Sequence, residues 1–398
     1  MRPLKALTTS LLLLPPFASS LPHTPSTPQS ESPWLTKKYL GVNLGGWLVQ
    51  ERSLDTAFWS THAPSAPDEW TLCTTLGPQQ CSAVLEHRYA TWITTSTIDS
   101  LANVGINLLR IPTTYAAWIN LPGSGLYSGN QTAYLRSITE YAINKYDMHI
   151  MLDVHSLPGG INGLDIGEKQ GNWGWFFNAT AWDQSLDVID QVVHFVSTSS
   201  NPRSFTIEPM NEPTDRNKDS DLGMTAFGTP SAVSDEAAGY ILRFWKAVLG
   251  RVREWEGRLE LGISIPVALQ SFKLPSYWGA NFTVDDNVVF DMHNYYFEGR
   301  NVTAENLPGY MRSDGEAKSG DGVVPVFIGE WSIQTAYNNS LELRESNVKA
   351  GLGIWEEFMQ GSAYWAARFE GNDTVDGEGR KRDYWSFGRF VELGFFSD

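Results

Sequence analysis

Two glutamates, Glu212 and Glu330, stand where strand-like runs of the chain end, and the pair could cleave an acetal. Acetal cleavage requires one carboxyl group that gives a proton to the leaving oxygen and a second that attacks the anomeric carbon or activates water. Glu212 is followed by Pro213, which disfavours a helical backbone in the residue before it. We therefore expect Glu212 to be extended at the end of a strand. Glu330 closes the apolar run Val324–Ile328 after a single glycine.

Charged neighbours could give the two carboxyl groups different roles. Arg110 would keep Glu330 ionised as a nucleophile, and the negative charge of Glu330 would hold a proton on Glu212. A double-displacement mechanism would then require about 5–5.5 Å between the two carboxyl groups. The competing interpretation is that each glutamate pairs with an arginine or lysine, or caps a helix. Because both glutamates follow buried strand-like runs, the pattern favours a catalytic pair.

Eight short and nearly continuous apolar runs must position these residues, and such runs are typical of parallel strands buried on both faces. The predicted strands are Leu40–Leu44, Ile106–Pro112, His149–His155, Phe205–Pro213, Leu261–Ala268, Val288–Tyr295, Val324–Trp331 and Ser362–Phe369. Helical periodicity lies between many of them, at Ser96–Val104, Tyr134–Asp147, Trp182–Thr198, Glu236–Trp255 and Glu342–Gln360. This alternation predicts an α/β fold of the (β/α)8 TIM-barrel type, with a doubly wound open sheet as the alternative.

Polar or aromatic side chains end six of the predicted strands. These side chains are Arg110, Asp153, His155, Asn211, Glu212, His293, Tyr295, Glu330, Trp331 and Trp365. In a barrel the carboxyl ends of all strands meet at one mouth, so the side chains would surround one pocket. Alternatives without function are solvated loops, core histidines at His155 and His293, and barrel core at Trp365.

The composition excludes several classes of protein. Of 398 residues, 42% are hydrophobic and 19% are charged, which excludes a wholly disordered chain. Lys and Arg number 29 and Asp and Glu 45, so the formal net charge is 29 − 45 = −16. This balance argues against nucleic acid and anionic membranes as partners. The 16 tryptophans fit either a large core or a surface that stacks on flat amphipathic ligands such as sugar rings.

The N-terminus has the features of a secretory signal. Residues 1–20 combine the basic Arg2 and Lys5 with a short apolar core and a small-residue cleavage site. Residues 21–36 are rich in Pro and Ser and are predicted to form a flexible arm. No other stretch is long and apolar enough to span a membrane. Residues 37–398 are therefore predicted to form one catalytic domain of a secreted, soluble protein.

Two further features fit an oxidising, extracellular compartment. Cys73 and Cys81 could pair there, or they could remain two buried thiols. Acceptor sequons for N-glycosylation begin at Asn130, Asn178, Asn281, Asn301, Asn338 and Asn372.

The segments that carry the candidate residues resemble fungal exo-β-1,3-glucanases of glycoside hydrolase family 5, clan A. The resemblance covers residues 38–390 and rests on Gly41–Trp47, Asp68–Cys73, Trp92–Thr94, Asn107–Pro112, Leu152–His155, Asn211–Pro213, His293–Tyr295, Gly329–Ser332 and Tyr364–Trp365. It implies a (β/α)8 barrel, retention of configuration, and no metal or other cofactor.

The resemblance also implies a role for each candidate residue. Glu212 would be the acid/base and Glu330 the nucleophile, and Arg110 and Tyr295 would orient the nucleophile. Asn211 would hold the 2-hydroxyl of the sugar. The remaining sugar contacts would be His155, His293, the stacking Trp365 and, beyond the cleaved sugar, Glu51 and Asp165.

The chain departs from that family in the substrate groove. Thr113–Trp118 stands where an Ile-Gly-Tyr-Trp sequence is usual, and Ala366–Glu370 stands where Trp-Lys-x-Glu is usual. Leu164 occupies a position where the family has a Phe, and a second such position matches Glu298, although Phe297 is adjacent to it. None of these departures touches the carboxylate pair, so the chemistry is better defined than the substrate.

The sequence thus predicts a secreted, monomeric, retaining β-glycosidase that acts on β-1,3-glucan from chain ends. The alternatives are a β-1,6-glucanase, another β-glycan hydrolase, and a transglycosylase in which a sugar hydroxyl intercepts the covalent intermediate. A non-catalytic glycan-binding protein on the same barrel is less favoured because it would require a broken carboxylate pair. No metal site is expected, since His155 and His293 have no short-spaced third ligand.

Overall fold

Eight parallel strands form a closed barrel in the computed structural model, which describes residues 32–215 and 227–397. The strands are β1 (Tyr39–Asn43), β2 (Leu108–Thr113), β3 (His149–Val154), β4 (Phe205–Glu208), β5 (Val267–Gln270), β6 (Val288–Tyr296), β7 (Val326–Thr335) and β8 (Gly361–Tyr364). Each strand pairs with the next, and β8 pairs with β1. This closure confirms the predicted (β/α)8 barrel and excludes the open sheet.

Helices lie between and around the strands. They are α1 (Pro33–Thr36), α2 (Thr56–His62), α3 (Glu69–Leu76), α4 (Pro78–Thr91), α5 (Thr95–Ala102), α6 (Gln131–Tyr146), α7 (Ala179–Ser197), α8 (Asp235–Arg258), α9 (Pro275–Trp278), α10 (Leu307–Lys318), α11 (Arg344–Phe358), α12 (Arg382–Trp385) and α13 (Phe387–Glu392). The helical periodicity predicted α5 to α8 and α11. It did not reveal α4, whose buried face includes the charged Arg88. Within the described residues, no helix is both long and apolar enough to cross a bilayer.

The strands are buried on both faces, which explains their nearly continuous apolar sequences. Every residue of β2 and β3 is buried. One set of side chains clusters separately from the rest of the core and includes Trp34, Tyr39, Leu108, Met151, Ala268, Val289, Phe327 and Ala363. Because side chains fill the barrel interior, the carboxyl ends of the strands are left to form a site.

The fifth strand begins later than the sequence predicted. The apolar run starts at Leu261, whereas β5 starts at Val267. Gly262 has a φ of 62°, a left-handed conformation that interrupts extended backbone. The residues before Val267 therefore belong to the connection from α8, and the strand ends at Gln270 in the mouth of the barrel.

The folded part of the chain begins before residue 37. Residues 1–31, which contain the predicted signal and most of the predicted arm, lie outside the described residues. Residues 33–36 form α1, and Trp34 is fully buried there. Its Nε1 donates to Oγ1 of Thr206 (2.9 Å). The prediction of a flexible arm up to residue 36 is therefore wrong for these residues, because a single buried tryptophan anchors a segment whose composition is that of a linker.

A disulfide bond between Cys73 and Cys81 joins α3 to α4. Gly77 lies between the two helices with a φ of 76°, which turns the chain sharply enough for the helices to meet. Oδ1 of Asp68 accepts a hydrogen bond from the backbone N of Thr71 (2.6 Å) and caps the start of α3. The disulfide and the cap together order the loops that follow β1.

Candidate active site

Glu330 lies within β7, and both of its carboxylate oxygens accept hydrogen bonds. Nη1 of Arg110 donates to Oε1 (2.6 Å), and the phenol of Tyr295 donates to Oε2 (2.7 Å). Arg110 lies on β2 and Tyr295 on β6, so two other strands of the barrel hold this carboxylate. The side chain is therefore fixed in one orientation at the mouth.

Glu212 follows the end of β4 and has an unusual backbone. Its φ is 47°, in the left-handed region, which costs a residue that carries a Cβ about 1–2 kcal/mol. The prediction that Glu212 is extended is therefore wrong. Pro213 disfavours the right-handed helical region for the preceding residue, and tertiary contacts place Glu212 in the left-handed region instead. Backbone strain of this kind concentrates at functional sites.

His293 bridges the two glutamates. Its Nδ1 lies 2.8 Å from Oε1 of Glu212 and 3.4 Å from Oε2 of Glu330. One carboxylate oxygen of each glutamate and one nitrogen of His293 all lie within 4.8 Å of one another. The two carboxyl groups therefore face each other across a gap that an anomeric carbon and its leaving oxygen could enter.

Burial and neighbouring charges oppose each other in this cluster. Burial raises the pKa of Glu330, and the carboxylate of Glu212 raises it further, while His293 and Arg110 lower it. Burial alone would lower the pKa of His293, but Glu330, Asp291 and Glu212 together raise it well above its ordinary value. The sequence argument considered only Arg110 as a cationic neighbour of Glu330, and the structure adds His293 as a second one.

Arg110 is the centre of a wider buried network. It is completely buried, and its partners come from five other strands and from the connection after β4. Besides Glu330, they are Glu208 (2.7 Å), Asn211 (2.8 Å), Asn43 (3.0 Å), Asp153 (3.2 Å) and Asp291 (3.6 Å). A buried charge is tolerated when it is paired and hydrogen-bonded, and these contacts meet that condition. The network fixes the side chains on which the mouth is built.

His155 and Trp365 form a flat surface beside the glutamates. Their rings are stacked, with centroids 5.8 Å apart and an interplanar angle of 15°. Nδ1 of His155 donates to Oδ2 of Asp153 (2.6 Å), and Nε2 accepts from Nδ2 of Asn211 (3.3 Å). Oδ1 of Asn211 already accepts a hydrogen bond from Arg110, so the amide faces His155 with its Nδ2 donor. Nε2 of His155 is therefore the acceptor and Nδ1 carries the proton, which fixes both the tautomer and the orientation of the ring. The structure thus brings His155, Asn211 and Trp365 to the same mouth as the glutamates.

Glu51 and Asp165 lie on loops that follow β1 and β3. Burial raises the pKa of Glu51 well above its ordinary value, and the carboxylates of Asp165, Glu330 and Glu212 add to this. Burial likewise raises the pKa of Asp165. Oε1 of Glu51 has no hydrogen-bond partner within residues 32–215 and 227–397. A sugar hydroxyl could supply the partner that this buried oxygen lacks.

Sequence reasoning missed two buried acids beneath the mouth, Glu208 and Asp291. Both are completely buried, and Asp291 accepts a hydrogen bond from the backbone N of Gly329 (2.6 Å). A Cβ on Gly329 would lie 2.0 Å from Asp291, so this position admits only glycine. The available signal was an acidic residue next to the apolar residues of a predicted strand, at Glu208 after Ile207 and at Asp291 after Phe290.

Two sets of three side chains have the geometry of metal ligands. They are Glu208, Asp291 and His293, and Glu212, His293 and Glu330. The first set joins β4 to two residues of β6, and the second joins the connection after β4 to β6 and β7, so neither set is close together in the sequence. Arg110 lies within 3.6 Å of Glu208, Asp291 and Glu330, so a metal ion would meet a positive charge that already occupies the site. The chemistry of the donors therefore favours the guanidinium over a metal.

The predicted glycosylation sequons lie at the surface of the protein. All six sequon asparagines, at positions 130, 178, 281, 301, 338 and 372, are exposed. Asn178 also caps α7, since its Oδ1 accepts from the backbone N of Ala181 (3.2 Å). Each position is accessible to a modifying enzyme.

Known proteins are similar to this chain in sequence and in fold. The family model for cellulase (glycosyl hydrolase family 5) matches residues 76–370. Probable glucan 1,3-beta-glucosidase A of Aspergillus fumigatus is 29% identical over 295 residues, which are 73% of this chain and 64% of that protein. Glucan 1,3-beta-glucosidase 1 of Schizosaccharomyces pombe is 34% identical over 185 residues, 45% of this chain and 44% of that protein. The chain thus spans less than two thirds of the length of these curated relatives.

Two solved structures are more similar over a larger part of the chain. The rutinosidase from Aspergillus niger is 52% identical, with a TM-score of 0.88, and the match covers 92% of this chain and 100% of that one. The structure of AoRut is 56% identical, with a TM-score of 0.86, and covers 92% and 98%. The family match over residues 76–370 confirms the resemblance found in the sequence, and this chain belongs to glycosyl hydrolase family 5 and is a glycoside hydrolase.

Proposed function

We propose that this glycoside hydrolase is a retaining β-glycosidase with Glu330 as the nucleophile and Glu212 as the acid/base. The observation that carries the proposal is the approach of the two carboxylates, each of which has an oxygen within 4.8 Å of the other. Retaining enzymes keep their carboxyl groups about 5–5.5 Å apart, whereas inverting enzymes leave about 6.5–9.5 Å for a water molecule. The spacing at this mouth supports attack by a side chain.

In the first step, an oxygen of Glu330 attacks the anomeric carbon while the carboxyl group of Glu212 protonates the departing oxygen. The bond between the anomeric carbon and the leaving group breaks, and a covalent glycosyl-enzyme forms. Arg110 and Tyr295 each occupy one oxygen of Glu330 and hold it for in-line attack. This fixation supplies the near-attack geometry on which the rate depends.

In the second step, the ionised Glu212 takes a proton from water as the water attacks the anomeric carbon. The covalent bond to Glu330 breaks, and the sugar leaves with its original configuration. His293 contacts both carboxylates, and it can therefore compensate the negative charge that moves from one glutamate to the other. A sugar hydroxyl in place of water would give transglycosylation by the same chemistry.

The remaining candidate residues bind the sugar. Trp365, stacked against His155, offers a flat apolar face to a sugar ring, and Asn211 lies beside the glutamates where the 2-hydroxyl would be. Glu51 and Asp165 extend this polar surface beyond the cleaved sugar. All of these groups are held by other side chains or by burial before a substrate arrives.

The substrate that fits best is a glycoside of the rutinoside type, cleaved at the β-glucosidic bond. The two structures with 52% and 56% identity over 92% of this chain support this class, and the first of them is a rutinosidase. The departures from the glucanase pattern lie in the substrate groove, at positions that include Leu164 and Glu298. A groove altered there while the carboxylate pair is kept supports a change of substrate without a change of chemistry.

Hydrolysis of β-1,3-glucan from chain ends is the second candidate function, as the sequence analysis predicted. The glucan 1,3-beta-glucosidases among the curated relatives favour it, at 26% to 29% identity for those matched over about 300 residues. The lower identity places this substrate after the rutinoside type.

A substrate panel tests both candidates. The purified chain is assayed with a flavonol rutinoside, the corresponding monoglucoside, and β-1,3- and β-1,6-linked glucans, and the anomer formed first is read by proton NMR. We expect the highest kcat/KM for the rutinoside, by about tenfold or more, with release of the intact disaccharide as the β-anomer. A higher kcat/KM for β-1,3-glucan would assign the second candidate, and an α-anomer would overturn the retaining mechanism.

The protein is also proposed to be secreted and monomeric. The N-terminal signal features, the disulfide between Cys73 and Cys81 and the six exposed sequons support secretion. Mass spectrometry of the protein from culture medium tests this. It should find a new N-terminus near residue 20 and glycan on at least one sequon, and light scattering should give the mass of one chain.

A further inference from the structure

The left-handed backbone of Glu212 is held from both sides by side chains. The backbone N of Glu212 donates to Oε1 of Gln270 (2.7 Å), and its carbonyl oxygen accepts from Nδ2 of Asn162 (3.3 Å). Gln270 ends β5, and Asn162 lies on the loop between β3 and α7. The peptide groups on either side of the Glu212 Cα are thus each fixed by a residue distant in the chain.

From this geometry we propose that Gln270 and Asn162 are positioning residues that aim the carboxyl group of Glu212 at the leaving oxygen. The inference rests on the acid/base role proposed above for Glu212. The direction of a side chain follows from φ and ψ of its own residue, so a change from left-handed to extended backbone would turn the carboxyl group away. The contact of 2.8 Å between Glu212 and His293 would then be lost.

Gln270 is completely buried, and among the described residues its side-chain amide bonds only to Glu212. Its Oε1 must face the Glu212 N–H, since a flipped amide would bring two donors together. As a result, Nε2 of Gln270 has no hydrogen-bond partner within the part of the chain that the structure describes. A buried donor without a partner costs stability, so this glutamine is poorly suited to a purely structural role.

Asn162 is also completely buried, and it has a second bond that fixes it. Its Oδ1 accepts from the backbone N of Leu164 (3.0 Å), which leaves Nδ2 directed at the Glu212 carbonyl. A Cβ on Gly167 would lie 2.1 Å from this Oδ1, so the loop is closed tightly around the amide. The same loop carries Asp165, and the acid/base is thereby linked to a loop that is proposed to bind the sugar.

The test compares two leaving groups in Gln270→Met and Asn162→Leu, which remove the hydrogen bonds but keep much of the side-chain volume. The full-length enzyme is assayed for kcat/KM, which reports formation of the glycosyl-enzyme, with a phenyl and a 2,4-dinitrophenyl glycoside of the sugar that the wild type accepts. Phenoxide needs protonation to leave, whereas dinitrophenoxide does not. General acid catalysis contributes roughly 100–10,000-fold, so a partial loss of aim should lower kcat/KM for the phenyl glycoside about 10–100-fold. The value for the dinitrophenyl glycoside should stay within about threefold of the wild type.

Matched controls separate positioning from loss of a buried amide. Gln131→Met and Asn347→Leu each remove a buried amide with hydrogen bonds elsewhere in the fold, and they should leave the ratio of the two substrates unchanged. If Gln270→Met does not fold, Gln270→Asn keeps the amide but shortens its reach and should show the same selective loss.

An equal fall of kcat/KM for both glycosides in the folded variants, or no fall for either, would overturn the proposal. If the wild type hydrolysed neither of the two glycosides, the proposed function would be overturned instead.

Discussion

The two ends of the barrel are formed by the same eight strands but hold opposite kinds of side chain. At the carboxyl ends, Arg110, Asp291, His293 and Glu330 are buried together and carry charge in a small volume. Burying charged groups costs free energy even when they are paired and hydrogen-bonded. The carboxyl ends are therefore an unfavourable place to store stability and a favourable place to hold reactive groups.

The amino ends are closed by an aromatic cluster with neutral polar contacts. The ring of Trp34 lies 4.7 Å from that of Tyr39, 5.8 Å from that of His149 and 5.1 Å from that of Phe327. Nε1 of Trp34 donates to Oγ1 of Thr206, and Nε2 of His149 lies 2.8 Å from the same oxygen. Burial lowers the pKa of His149 to about 3, so the histidine is neutral in the folded protein.

The comparison shows how one fold separates two tasks. The mouth carries a strained backbone and several acids whose pKa burial raises, while the opposite end buries large apolar rings. In barrels of this type, function resides at the carboxyl ends and stability at the amino ends. Changes at the mouth should therefore alter activity first, and changes at the other end should alter stability first.

The largest effect is expected for Glu330→Gln. Without a nucleophilic carboxylate, kcat should fall at least about a thousandfold, about 4 kcal/mol in the barrier. Because the change removes a buried acid that is costly to ionise, the melting temperature should stay the same or rise. Initial rates and thermal unfolding of the same preparation measure both. A large drop in melting temperature would contradict the division between the two ends.

At the opposite end, Trp34→Ala should lower the free energy of unfolding by about 3–5 kcal/mol, the usual cost of removing a large buried aromatic side chain. The kcat of the enzyme that remains folded should stay within about twofold of the wild type. Urea unfolding and active-site titration provide the two numbers. Trp34→Phe, which keeps part of the ring, should lie between the wild type and the alanine variant.

The third test measures how the stability of the protein changes with pH when a buried carboxyl group between β1 and β2 is removed. Glu69, in α3, accepts a hydrogen bond from the backbone N of Gln50 (2.9 Å), and burial raises its pKa from 4.5 to about 8. A carboxyl group whose pKa is higher in the folded state favours folding when it is protonated. The contribution of Glu69 is therefore complete below pH 4.5 and is lost as the pH rises to about 8. Glu69→Gln should therefore be more stable than the wild type by about 3 kcal/mol at pH 7, and equal at pH 4.

Urea unfolding at several pH values measures this difference. Glu86→Gln, on the neighbouring helix α4, is a suitable control. Burial raises the pKa of Glu86, but hydrogen bonds from Asn130, Tyr127 and Tyr134 together outweigh it and lower the pKa overall. The control should not gain stability at pH 7. A gain in both variants would point to relief of the net negative charge and not to burial of Glu69.

The smallest expected effect has the opposite sign and belongs to the amino ends. Because burial lowers the pKa of His149 from 6.5 to about 3, its contribution to stability is complete above pH 6.5 and is lost as the pH falls toward 3. His149→Gln should remove about 2 kcal/mol of this loss near pH 5. The exposed His87→Gln should leave the profile unchanged. If the stability of His149→Gln fell with decreasing pH as steeply as that of the wild type, groups other than His149 would control the loss of stability in acid.

The sequence alone allowed the barrel and the composition of the mouth to be predicted. Parallel strands covered on both faces require continuous apolar runs, and those runs are visible in a single sequence. The residue types at their carboxyl ends then indicated acetal chemistry, because cleavage of a glycosidic bond uses a pair of carboxyl groups such as Glu212 and Glu330. Both inferences depend on local pattern, which the linear chain preserves.

Other features exist only when distant parts of the chain meet. The left-handed backbone of Glu212 depends on Gln270, 58 residues away, and the buried position of Trp34 depends on Thr206, 172 residues away. Local preference pointed to an extended glutamate and a flexible arm at these two places, and tertiary contacts overrode it. The sequence by itself determined the order of the strands and the chemical groups at their ends. The tertiary structure decided the conformation and the ionisation of those groups, because both depend on burial and on partners that the order of residues does not show.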